Sequence, residues 1–368
     1  MEPLVEPGPP LTAEQVERSS RHLLLPGVGD AGQRRLRNAR VCVVGAGGLG
    51  APVLQYLAAA GVGALTVVDD DVVDASNLQR QVIHGVADVG RPKVDSARDA
   101  IARIDPSIEV RAVRTRLTSA DVDTVLAGHD LVVDGTDNFP TRYLVDEACE
   151  RLGVPLVWGS VLRFDAQVSV SWAAAGVTMR DLFPSAPEDG LSCAEAGVLG
   201  ALCGQVGSVM ATEVVKLVTG IGEPLLGRVL VVDALRARWS EVPVRVRPAA
   251  TRPSVRSAPE SPAAARSIDA ATLADRLALR TDGRDRFELI DVREPAEAAL
   301  ASIPGARLVP LARVLDGSAL DELPRDQEIV VHCAVGARSA AAVEVLRAAG
   351  FEATNLEGGI RAWQATGR

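Results

Sequence analysis

Val41-Cys42-Val43-Val44-Gly45-Ala46-Gly47-Gly48-Leu49-Gly50 decides the fold of the larger part of this chain. Four consecutive apolar residues without alternation read as a strand buried on both faces. The glycines that follow let the backbone turn sharply and bring its N–H groups close to a phosphate at the start of the next helix. That helix is expected to run through residue 60. Residues 64–68 read as a second strand, ending in Asp69-Asp70-Asp71. Strand, glycine turn, helix and strand make the βαβ unit of a doubly wound parallel sheet. Upstream, residues 12–39 mix charged and apolar groups as wrapping helices would. Downstream, a helix over 94–104, strands over 108–113 and 130–134, and a helix over 141–152 continue the alternation. A β-rich run from 156 to 171 follows, and then weak periodicity over 173–192 that reads as a mobile loop. A helix rich in small residues over 204–218 and a strand over 228–233 close the domain.

Residues 247–267 are Pro, Ala, Ser and Arg with no apolar period, the composition of a linker. From residue 268 the alternation restarts, with helices expected over 269–279, 295–299 and 339–349 and strands over 287–291 and 328–332. The expected organisation is therefore a Rossmann-like α/β domain over 1–246, a linker over 247–267 and a smaller α/β domain over 268–368.

Composition narrows the function classes. At 368 residues there is chain enough for two cores, and 47% apolar content is globular. A net charge of -9 leaves no basic excess for nucleic acid. The apolar stretch 51–68 contains Pro52, Gln55, Gly61 and Gly63, so it reads as helix, turn and strand rather than a membrane span. Five scattered cysteines and an acidic, proline-rich start point to free thiols in a cytoplasmic setting.

The glycine loop alone signals a dinucleotide, and a nicotinamide-dependent oxidoreductase with an appended thiol domain is the natural rival reading. Asp69 suits ribose hydroxyls in either case. The stretch beyond it is crowded with Asp71, Asn77, Arg80, Gln81 and Lys93. A dinucleotide needs few cations there, whereas a triphosphate needs several. Lys93 is one of only two lysines in a chain whose other basic residues are arginine. Asp134-Gly135-Thr136-Asp137-Asn138 ends a strand at the same sheet edge, where ligands gather in such folds. Asp137 could hold Mg²⁺ there. Asn138 could serve a ligand or, equally, cap the next helix.

A second cradle stands at Cys333-Ala334-Val335-Gly336-Ala337-Arg338, between an apolar strand and a helix. Backbone N–H groups and the helix dipole should favour an anion on the Cys333 sulfur. Strand, cysteine, loop, arginine and helix are shared by rhodaneses and cysteine phosphatases. A phosphatase loop needs five residues between Cys and Arg, but only four separate Cys333 from Arg338. The smaller loop suits a persulfide. Arg293 reads as a structural buttress and His332 as a strand-end residue. Cys42, Cys149 and Cys203 read as core.

The ordered set of segments, from RSSRHLLLPGVGDAGQRRL through GAGGLG, DDDVVDASNLQRQ, GRPKVDSARDAI and DGTDN to LSCAEAGVLG, resembles the MoeB/ThiF/E1-like adenylyltransferases over residues 12–245. DVREP, IPGA and LEGGIRAW, with the Cys333 loop, resemble rhodanese signatures over 268–368. The resemblance implies ATP-dependent adenylation of the C-terminal Gly-Gly carboxylate of a ubiquitin-like sulfur carrier, followed by sulfur transfer from Cys333. Thiosulfate or a cysteine-desulfurase persulfide would be the sulfur donor. It implies the phosphates at Gly48, within the loop whose Gly45, Gly47, Gly48 and Gly50 already read as a phosphate cradle, the ribose at Asp69, the triphosphate at Asn77, Arg80 and Lys93, and the metal at Asp137. Arg21 matches an arginine that reaches the partner subunit's nucleotide, so a homodimer is implied. Cys193 matches a loop cysteine that is covalent in some relatives and dispensable in others. Zinc-binding members carry two Cys-x-x-Cys pairs. Here Thr178-Met179-Arg180-Asp181 stands at the first position and no pair near 242–248, the pattern of the zinc-less, MoeZ-like branch. A non-catalytic scaffold for carrier proteins is the remaining rival.

Overall fold

The computed structural model describes residues 1–184, 197–244, 266–334 and 336–366. The chain divides into two units, Met1–Pro253 and Ser254–Arg368. The expected linker lies almost wholly outside the described residues.

In the first unit, β1 (Arg40–Val44), β2 (Ala64–Val68), β3 (Glu109–Val113), β4 (Leu131–Asp134) and β5 (Leu156–Leu162) are parallel. β6 (Asp165–Ser171), β7 (Arg228–Asp233) and β8 (Arg238–Pro243) extend the sheet antiparallel, giving the order β3-β2-β1-β4-β5-β6-β7-β8. Val41 and Val43 face one core, shared with helices Gly50–Ala59 and Gly200–Thr219; Cys42 and Val44 face another, under helix Phe139–Leu152. This is the two-sided burial that an unbroken apolar strand encodes. Strand order reverses between β1 and β4, so the loops after these two strands flank the switch point of the sheet.

Three expectations change. β8 was not foreseen, because every residue of it is exposed and it carries no apolar run. The long helix starts at Gly200 rather than 204, and its first residue packs closely: a Cβ on Gly200 would meet the Gln79 carbonyl oxygen at 2.2 Å. By length and apolar content that helix could cross a membrane, but here it packs in the core. Of the expected loop over 173–192, residues 185–192 lie outside the described residues, and 173–184 instead carry regular structure. They contain a turn at Ala173–Ala175 and a helix at Met179–Leu182, pinned by buried Asp146, which accepts the Met179 N–H at 3.2 Å.

In the second unit, β9 (Ser267–Ile268), β10 (Phe287–Asp291), β11 (Arg307–Leu308), β12 (Glu328–His332) and β13 (Ala353–Leu356) form a parallel sheet in the order β11-β10-β12-β13-β9. β12 lies at the centre, with Cys333 directly after it.

Candidate functional site

The first site is assembled at the carboxyl ends of β1, β2 and β4. Val44 pairs with both Val68 and Asp134, so the loops that follow start level with one another. Gly45 has φ +91, and a Cβ on Gly50 would fall 1.7 Å from the Gly45 carbonyl oxygen; the loop cannot close with larger residues there. The helix beginning at Gly50 directs its first N–H groups to the same edge. Asp69 accepts hydrogen bonds from Ala46 N at 2.8 Å and Asp71 N at 2.9 Å. Burial raises its carboxyl above the usual range, against the pull of Lys93. The Lys93 ammonium lies 2.8 Å from the Asp71 carboxylate, with the lysine side chain buried and Asp71 exposed. Arg80 passes Gly48: a Cβ on that glycine would stand 3.5 Å from the Arg80 side chain. Gln81 is buried beside Gly47, and its Oε1 has no partner among the described residues.

Two predicted binders serve the backbone first. Asn77 Oδ1 accepts the Asp74 N–H at 3.2 Å, closing a turn, and Asn138 Oδ1 accepts the Thr141 N–H at 3.0 Å as helix N-cap. Asp137 is exposed beside Asn138. An exposed carboxylate at a phosphate-facing edge fits Mg²⁺, which keeps part of its water shell. Carboxylate oxygens of Asp69, Asp70 and Asp71 also lie within 4.8 Å of one another. Arg21 is exposed on the short helix Ser20–Leu23. Cys193 lies outside the described residues.

Two supporting residues had no legible signal. His84 donates from Nε2 to the Ala46 carbonyl at 3.0 Å and accepts the Ser96 hydroxyl on Nδ1 at 2.8 Å. It thereby ties the glycine loop to the helix that starts at Lys93, and burial keeps it neutral. Arg142, buried, donates to the carbonyls of Thr136 at 2.7 Å and Gly159 at 2.8 Å, bracing the ends of β4 and β5. The His84–Ala46 and Arg142–Gly159 contacts join residues 38 and 17 positions apart in sequence.

The second site is built on β12. The Cys333 sulfur is buried and accepts the Gly336 N–H at 3.1 Å and the Ser339 hydroxyl at 3.4 Å. Gly336 has φ +100, and the loop is backed by Ile360 N, which donates to the Cys333 carbonyl at 2.8 Å. Arg338 points to Glu297, both carboxylate oxygens lying 2.7 Å from its guanidinium. That pair holds Glu297 below the usual carboxylate range. Arg293 is a buttress: it grips Asp291 and donates to the Ala301 carbonyl at 2.7 Å. His332 is buried and neutral at the end of β12. Burial pushes the Cys42 thiol up to about 12 and raises Cys149 as well, leaving both inert.

Comparison with known proteins agrees with this geometry. Residues 19–252 match the ThiF family model. The chain belongs to the ThiF family. Residues 272–366 match the rhodanese-like domain. The chain is 49% identical over 98% of its length, and 96% of the relative's, to the probable adenylyltransferase/sulfurtransferase MoeZ of Mycobacterium tuberculosis (strain H37Rv). It is 49% identical to a sulfur carrier protein adenylyltransferase of Thermus thermophilus, over 64% of this chain and 90% of that protein. The crystal structure of PaaA shares the fold, with TM-score 0.55 at 22% identity, covering 64% of this chain and 75% of that one. The protein is thus an enzyme of the adenylyltransferase and sulfurtransferase class, which displaces both the oxidoreductase and the scaffold readings.

Proposed function

We propose that this enzyme uses ATP to adenylate the C-terminal Gly-Gly carboxylate of a ubiquitin-like sulfur carrier and converts the adenylate to a thiocarboxylate with sulfur held on Cys333. The observation that carries the reading is the presence of two anion cradles in one chain, one shaped for phosphates and one closed around a sulfur. The carrier carboxylate attacks the α-phosphate and pyrophosphate leaves. The glycine loop and the helix start receive the phosphates, Arg80 and Lys93 offset their charge, and Asp69 orients the ribose. Mg²⁺, held by Asp137, would neutralise phosphate charge when bound. A persulfide on Cys333 then attacks the acyl carbon, AMP leaves, and thiol reduction of the acyl disulfide releases the thiocarboxylate.

Carrier docking is supported by an apolar rim. The β5–β6 and β7–β8 turns lie at the same end of the sheet as the glycine loop and are joined by Ala234 N donating to the Phe164 carbonyl at 2.9 Å. They expose Leu162, Phe164, Leu235 and Trp239. Exposed Tyr56, Val82 and Val86 support a homodimer. The enzyme would work in the cytoplasm, where its thiols stay reduced, and hold no structural zinc. Elemental analysis finding about one zinc per chain would overturn that last point.

Lys93→Ala tests the reading. Carrier-dependent ATP–pyrophosphate exchange should vanish while circular dichroism and thiosulfate-driven sulfur loading persist. Near-normal exchange would remove Lys93 from the site.

A further inference from the structure

Arg338, at the end of the second cradle, forms an ion pair whose two halves differ in exposure. The Arg338 side chain is only 9% exposed, whereas that of Glu297 is 36% exposed. The carboxylate is therefore the more solvent-facing half of the pair. Glu297 is fixed in that place: its Oε2 also accepts the Glu294 N–H at 3.1 Å, and its carbonyl accepts from Arg293 at 3.3 Å. Exposed Glu294 and Glu357 on neighbouring segments stand against exposed Arg361 of helix Gly359–Ala365. Cradle cations that would draw in an anion are thus outnumbered on the solvent side by acidic groups. Like charges repel in proportion to the product of their charges, so a dianion is disfavoured about twice as strongly as a monoanion.

We propose that Glu297 is a specificity-determining residue that biases sulfur loading toward singly charged persulfides and against doubly charged oxyanionic donors such as thiosulfate. This rests on the reading of Cys333 as the sulfur acceptor. In either transfer the Cys333 thiolate attacks the donor's outer sulfur, an S–S bond forms on Cys333, and the donor's S–S bond breaks. The electron pair leaves with the donor as a thiolate or as sulfite. No oxidant or reductant is needed. Only the donor's charge at the mouth differs.

The test compares the full-length wild type with Glu297→Gln and Glu297→Asp. Loading of Cys333 is followed with thiosulfate, by sulfite release, and with the persulfide of N-acetylcysteine methyl ester, by thiol release. Glutamine keeps an acceptor for Arg338 and removes the charge. The ratio of thiosulfate to persulfide kcat/KM should rise about tenfold in Glu297→Gln. The wild-type thiosulfate rate should climb with salt as repulsion is screened, and this slope should flatten in the glutamine variant. Glu297→Asp should keep the wild-type ratio, and ATP–pyrophosphate exchange should report an intact first unit throughout. An unchanged ratio, or a parallel fall for both donors, would overturn the proposal and leave Glu297 as a support for Arg338. A wild type that takes sulfur from neither donor would instead sink the acceptor reading itself.

Discussion

Cys333 differs from Cys42 and Cys149 in what meets its sulfur. Cys42 and Cys149 sit among apolar side chains with thiols raised by burial, whereas Cys333, also packed against apolar residues, is met by a backbone N–H and a hydroxyl. Serine is nearly isosteric but cannot carry a persulfide, and its hydroxyl stays protonated. Cys333→Ser should therefore still adenylate the carrier and exchange pyrophosphate, yet fail to form thiocarboxylate from thiosulfate or a persulfide. Free sulfide could bypass the defect by attacking the adenylate. Mass spectrometry of the donor-treated wild type should find one extra sulfur on Cys333 rather than Cys193. A mutant that transfers sulfur at the wild-type rate would refute the assignment. At this scale the sequence was informative where chemistry is local: the spacing from Cys333 to Arg338 and the run Gly45 to Gly50 are contiguous. Glu297 was invisible because its partner lies 41 residues away, and a glutamate two residues after Pro295 reads only as a helix start.

Among the elements, strands buried on both faces were the most legible, since β1 and β12 are built on the unbroken apolar runs 41–44 and 329–331. The short helix Met179–Leu182 was not, because its anchors are long-range. Arg180 pairs with Glu147 at 2.6 Å and stacks over Tyr143, whose hydroxyl donates to the Phe183 carbonyl at 2.9 Å. Beneath them Asp146 is shifted from 3.8 to about 7, chiefly by burial. The folded state therefore keeps a proton that the unfolded chain loses. Stability from this group is full below about pH 4, falls as pH rises toward 7, and levels off above it. An asparagine in its place would have nothing to titrate and could still accept the Met179 N–H. The stability of Asp146→Asn relative to wild type should accordingly improve between pH 4 and pH 8, by up to about 4 kcal/mol. Urea midpoints at the two pH values measure it, and a pH-independent difference would exclude the buried proton.

For the whole molecule, the break in apolar period over residues 247–267 falls between the segment that matches the ThiF family and the one that matches the rhodanese-like domain, and the chain divides into two units there. Assembly was less readable, because a shared site depends on a surface that a single chain leaves exposed. Arg21 stands on that exposed surface, outside the loops that assemble around Gly45 to Gly50. If it reaches the partner's nucleotide, a dimer has two sites, each made of one chain's Lys93 and the other chain's Arg21. Homodimers of Arg21→Ala or of Lys93→Ala then carry a lesion in both sites. A heterodimer of the two variants collects both lesions in one site and leaves the other intact. Co-expression with two different affinity tags and tandem purification would isolate that species. Its carrier-dependent pyrophosphate exchange should recover to about half the wild-type rate per dimer, the fraction set by one intact site of two. Activity no higher than that of either parent homodimer would show that Arg21 acts, if at all, within its own chain.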